Sequence, residues 1–175
     1  MLLGLVGCDG SGDTETQVRA RQQAIDPPQL WIVQVIAGNG EATASTFVCA
    51  DAAIRETFAR TRAEVNGKRC EDTTGPVQKA HEWALSCRAQ GREFAISAST
   101  LGDVSQDFWL NFALTPLFDP TGIGTVRQTR HFRNVGPCPN GWRIGDQAKP
   151  GHQPRKSRLY GLRPSVRPGM PAASR

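Results

Sequence analysis

Five cysteines, Cys8, Cys49, Cys70, Cys87 and Cys138, are the side chains of this chain with the most covalent chemistry open to them. Metal binding is one use. No two of them lie within four residues of each other, and His81, His131 and His152 are scattered, so the spacing of zinc ligands is absent. Nucleophilic catalysis is another use, but it needs a thiolate, which a cysteine held in a disulfide does not offer. The sequence has no Gly-x-Ser-x-Gly elbow, no His-Glu-x-x-His and no phosphate loop, and Gly122-x-Gly124 stops short of a dinucleotide fingerprint. His81 alternates with Trp83 and Leu85, as a structural histidine does, and His131 falls in a basic polar segment that reads as solvated. The expectation is a non-enzyme with no metal and no cofactor. Gln106, Gln128 and Arg130 are the candidate ligand-binding residues: Gln106 alternates with Val104 and Phe108, and Gln128 and Arg130 with Val126 and Phe132. Polar groups on otherwise apolar strand faces could line a pocket for a small lipid-like or anionic molecule. The competing reading of Gln128 and Arg130 is a half-exposed edge strand, where charge deters edge-to-edge pairing.

Cys8 stands apart from the other four. It closes an apolar N-terminal run, and Leu5-Val6-Gly7-Cys8 resembles the lipobox of bacterial lipoproteins, whose cysteine becomes the lipidated N-terminus. Lipidation at Cys8 implies a membrane anchor, since each buried methylene contributes about 0.8 kcal/mol. The remaining four cysteines are an even set, which in an exported domain reads as two disulfides with three connectivities open. Cys70–Cys87, enclosing a turn, and Cys49–Cys138, joining the end of the second strand to the end of the sheet, are the favoured pairs.

The elements that must hold these residues are mostly of period two. Residues 30–36 (LWIVQVI) read as a well-covered strand, Gly38-Asn39-Gly40 as a hairpin turn and 43–49 as the returning strand. Residues 52–65 switch period, with Ile54, Phe58 and Val65 on one stripe, Asp51 as N-cap and Asn66-Gly67 as the stop. Alternation resumes at His81, Trp83, Leu85 and Cys87, then at Phe94, Ile96 and Ala98, then over 104–114, and more weakly over 125–135. The sum predicts an α+β domain: a curved antiparallel meander sheet of about six strands with one helix inserted after the second.

The ends differ from this body in composition. The expected division is a truncated lipoprotein-type signal at 1–8, a flexible tether at 9–28, a disulfide-stabilised domain at 29–145 and a basic Pro-rich disordered tail at 146–175. The net charge of +5 belongs to that tail. Residues 149–175 carry seven basic side chains and no acid, which leaves 14 basic against 16 acidic in the rest. A nucleic-acid surface needs a basic folded face, so no nucleic-acid partner is expected.

Several short segments together resemble the bacterial exported proteins grouped as domain of unknown function 3617. They are Leu30-Trp31, Phe47-Val48-Cys49, Cys70, Trp83-Ala84-Leu85-Ser86-Cys87 and the close Arg133-Asn134-Val135-Gly136-Pro137-Cys138-Pro139-Asn140-Gly141. The resemblance spans about 28–145 and rests on the order of four cysteines and on the Gly-Pro-Cys-Pro close. A methionine-rich segment after the first strand, usual in that group, is missing here. The resemblance implies an envelope location and disulfides, and it supplies no activity. The resulting expectation is a periplasmic lipoprotein domain that is membrane-anchored and acts as a non-catalytic interaction or structural module with an envelope protein partner. The alternative is a carrier for a small lipid-like or anionic ligand in the concave face of the sheet. A closed core with Trp109 on the surface favours the module; a cavity in the sheet interior favours the carrier.

Overall fold

The structure, a computed structural model, describes residues 11–60, 63–118, 124–156 and 165–166. Cys8 lies outside them. The chain runs α1 (Ser11–Ile25), β1 (Gln29–Ile36), β2 (Ala42–Ala50), α2 (Ala52–Ala59), β3 (Glu64–Val65), β4 (Lys68–Arg69), β5 (Glu71–Asp72) and β6 (Val77–Lys79). It continues through β7 (Glu82–Ala89), β8 (Arg92–Asp103), β9 (Asp107–Pro116), β10 (Val126–Pro137), β11 (Asp146–Ala148), β12 (Arg155–Lys156) and β13 (Ser165–Val166).

The fold is α+β and dominated by antiparallel sheet. All six expected strands form, as β1, β2, β7, β8, β9 and β10, but the sheet is larger than six and its order is not a simple meander. Ten strands join in the order β12-β11-β2-β1-β10-β9-β8-β7-β5, with β6 also on β7, and the sheet stays open. A meander would set β7 beside β2. Instead α2 and the segment after it carry the chain from β2 to the far side of the sheet, and β10 returns to pair with β1 from Gln29↔Pro137 to Ile36↔Thr129. The β3–β4 hairpin and β13 form a separate three-stranded sheet.

The helix is shorter than the expected 52–65. It ends at Ala59, where the backbone N–H of Arg60 donates to the Thr57 carbonyl. Val65 is buried as expected, but on β3. Asn66 (φ 51°) and Gly67 (φ 74°) are the two central residues of the β3–β4 hairpin, whose tight turn needs positive φ at both. At the other end, the Asp51 carboxylate accepts from the Ile54 N–H at 3.0 Å and satisfies one orphan donor. Replacing Asp51 with alanine is expected to cost about 1 kcal/mol, read as a lowered urea midpoint with unchanged slope.

Alternation puts one face of the sheet under α2. Trp31, Phe108, Phe132, Leu110 and Leu114 are each at most 1% exposed on that face, and Phe58 of α2 packs on Phe132 at 4.9 Å and on Trp31 at 5.5 Å. Trp83 Nε1 donates to the Ala59 carbonyl at 2.6 Å and ties the end of α2 down to β7.

The ends of the chain depart from expectation. Residues 11–25, read as part of a flexible tether, form α1, because the chain from Thr14 to Ala24 contains neither Gly nor Pro and is rich in Gln, Arg and Ala, which are good helix formers. Its described side chains are exposed, and Asp26 just beyond it pairs with Arg55 of α2. The folded part also runs past the expected boundary at 145. Asp146, Gln147 and Ala148 are all buried as β11, which adds to β2. The Asp146 carboxylate accepts from the Arg143 N–H at 2.8 Å, so its burial is compensated locally. Most of the remaining expected tail lies outside the described residues.

Candidate functional site

Both expected disulfides are present. Cys49–Cys138 has a Cα–Cα distance of 5.5 Å and Cys70–Cys87 one of 5.4 Å. No described cysteine is left as a thiol.

The three candidate ligand residues do not come together. Gln106 is exposed in the turn between β8 and β9 and shares no strand face with Phe108. The turn is made by Asp103, whose Oδ1 accepts from Ser105 N at 2.8 Å and Ser105 Oγ at 2.7 Å, which holds this carboxyl below its usual range. Gly102 (φ 104°) allows the close approach, since a Cβ there would stand 2.6 Å from the Asp107 carbonyl oxygen.

Gln128 and Arg130 do share the core face with Val126 and Phe132, as the alternation predicts. They are not on an edge strand, because β10 lies between β1 and β9. Arg130 is 2% exposed and faces Val35 on one side and Leu110 on the other. Its Nε donates to Gln128 Oε1 at 2.8 Å. Burial lowers its pKa from the ordinary value to about 10, so it remains a cation at neutral pH.

Among the described residues, no helix covers the opposite face of the sheet. Its centre carries small and polar side chains in register: Glu82, Ser99, Asn111 and Thr129 in one row, Ala84, Ser97, Ala113 and Arg127 in the next. With Val77 and Lys79 at one end, they line an open groove of about 590 Å³. Of the three candidate ligand residues only Gln128 lines it, and sequence reasoning missed the rest. The signal was in the outward positions of the strands, where small residues alternate with the large core residues. Beside the groove the row continues as Leu101, Trp109 and His131. Trp109 and His131 stack at 4.3 Å and 8°, and His131 Nε2 lies 2.6 Å from Asp107 Oδ1. His131 is thus held between an indole and a carboxylate rather than solvated, with its side chain 15% exposed. Leu101 at the end of this row is 70% exposed. His81 is not within a strand. It is exposed in the turn before β7, where its carbonyl accepts from Thr100 N at 2.8 Å.

No family model, curated protein or solved structure matches this chain.

Proposed function

We propose that this chain is an exported envelope domain, tethered to a membrane through a lipidated Cys8, and that it works as a non-catalytic interaction module. The observation that carries the reading is the contrast between the two faces of the sheet. One is packed under α2 around Trp31, Phe108 and Phe132, and the other carries exposed Leu101, half-buried Trp109 and a polar groove, with no helix over it among the described residues. Surface rows that mix an aromatic anchor with a polar surround are what protein interfaces use. Two disulfides in a domain of this size fit an oxidising compartment. The lipobox-like Leu5-Val6-Gly7-Cys8 and the resemblance to domain of unknown function 3617 support the same location.

Native mass spectrometry of the protein released from host membranes tests the reading. A protein partner in stoichiometric complex is expected. It should be lost in a Leu101→Arg, Trp109→Ala variant whose disulfides and melting temperature stay within a few degrees of the parent. In the same host, Cys8→Ser is expected to move the protein from the membrane to the soluble fraction. A bare monomer from the intact protein would sink the module, and unchanged membrane association of Cys8→Ser would sink the anchor.

A further inference from the structure

Arg130 is the one buried cation among the described residues. Strand alternation forces its side chain to the same side as Phe132, and its cross-strand neighbours Val35 and Leu110 are apolar. A guanidinium brings five N–H donors. Among the described residues its side chain makes one hydrogen bond, from Nε to Gln128 Oε1 at 2.8 Å, and no ion pair. Burial acts on it with no charged group to offset the cost. Buried charges in folded proteins are ordinarily paired, because an uncompensated one is strongly unfavourable. The fork is close to enclosed, at 2% exposure for the residue, but it is not wholly sealed. The fully enclosed side-chain atoms lacking a partner among the described residues are Trp31 Nε1 and Gln147 Nε2, and neither Nη of Arg130 is one of them.

We propose that Arg130 is an oxyanion-binding residue, taking two oxygens of a carboxylate or phosphate on its Nη edge, with Gln128 as the positioning residue that fixes the plane of the fork. The chemistry favours an anion of this shape. The guanidinium is planar, and two parallel N–H bonds to one carboxylate or phosphate give both charge and geometry. With buried Leu110 directly across from Arg130 and buried Phe132 two residues along the same strand, only the charged head of such a ligand would reach the fork. Arg130 lies on the face opposite the Leu101–Trp109–His131 row, and Gln128 beside it also lines the groove.

The test is thermal melting of the purified, disulfide-intact full chain with inorganic phosphate, acetate or decanoate. Each is titrated at constant ionic strength against chloride. A saturable rise in melting temperature with at least one of the three is expected. Phosphate alone would assign a phosphorylated ligand, and decanoate stronger than acetate an amphiphilic carboxylate. The apparent affinity should fall at least tenfold in Arg130→Met and several-fold in Gln128→Leu. It should be unchanged in Arg127→Gln, on the other face. Without any anion, Arg130→Met should melt no lower than the parent, since it removes a buried unpaired charge. Should that variant fail to fold, Arg130→Lys serves instead: it keeps the charge, loses the fork and is expected to bind about tenfold more weakly. No saturable rise over chloride in the intact protein, or a rise that survives both Arg130 substitutions, would overturn the proposal.

Discussion

Replacing Cys49 and Cys138 together by alanine is expected to cost roughly 4 to 5 kcal/mol of folding free energy, the largest effect of any pair of substitutions considered. The bridge spans 89 residues, so in the chain-entropy account its loss frees most of the folded part in the unfolded state. Its place in the sheet adds to this. Cys49 pairs with Leu30 at the end of β2, and Cys138 follows directly on Pro137, which pairs with Gln29. The bridge therefore clamps β2 and β10 on either side of the start of β1, next to the fully buried Trp31. The Cys70–Cys87 bridge spans only 17 residues, and its removal should cost nearer 3 kcal/mol. Urea unfolding of the oxidised parent and of the two double-alanine variants gives the comparison directly. If the shorter bridge proved the costlier, loop entropy would not be the governing term. Domains of ordinary stability hold about 5 to 15 kcal/mol, so losing both bridges approaches the whole margin. A domain that draws this much of its stability from two bridges is expected to be most stable where thiols oxidise, in keeping with the envelope location we propose.

The parts of this fold that could be read from the sequence are those fixed by neighbours along the chain. Two-residue alternation located six strands, and the Gly38-Asn39-Gly40 turn located the first hairpin, where Gly40 does take a φ of 85°. What depended on distant partners was not legible. Nothing in β10 itself says that it will return beside β1, and so Arg130 looked like an edge residue when it lies in the middle of the sheet. The stripe of Ile54, Phe58 and Val65 fits a helix as well as it fits a short helix followed by a hairpin. The positive-φ pair Asn66 and Gly67 decided for the hairpin. Gln106 fell in phase with Phe108 by spacing alone, while the Asp103 carboxylate, bonded to Ser105, bent the chain before the phase could matter. The buried strand at Asp146–Ala148 carries no apolar pattern at all, because its burial comes from docking on β2. The candidate site was the least legible part, for the same reason: the cross-strand rows of the uncovered face are made of residues from separate strands.

Phe58→Ala is expected to destabilise the domain by about 3 to 5 kcal/mol, the range for deleting a buried phenyl ring whose surroundings cannot collapse into the space. The surroundings here are rigid. Phe58 rests against Trp31 and Phe132, Phe132 stacks on Phe108 at 4.7 Å and 3°, and Phe108 meets Trp31 at 6.3 Å, so four rings brace one another. The helix that carries Phe58 has eight residues, too few to persist by itself, and Phe58 is the one residue it buries fully. Its ends are held by the Asp51 cap and by the Trp83 bond to Ala59, each worth on the order of 1 kcal/mol, and neither replaces the lost ring. Denaturant unfolding should therefore show a large fall in midpoint, accompanied by a red shift in tryptophan emission as Trp31 loses its cover. A loss below about 1 kcal/mol would mean that α2 is not what seals the core face. The same measurement separates the two faces of the sheet. Leu101→Arg and Trp109→Ala should leave the stability of the core largely untouched while abolishing the partner complex. Phe58→Ala should do the reverse in protein that remains folded, weakening the core and sparing the surface on which we propose the partner sits.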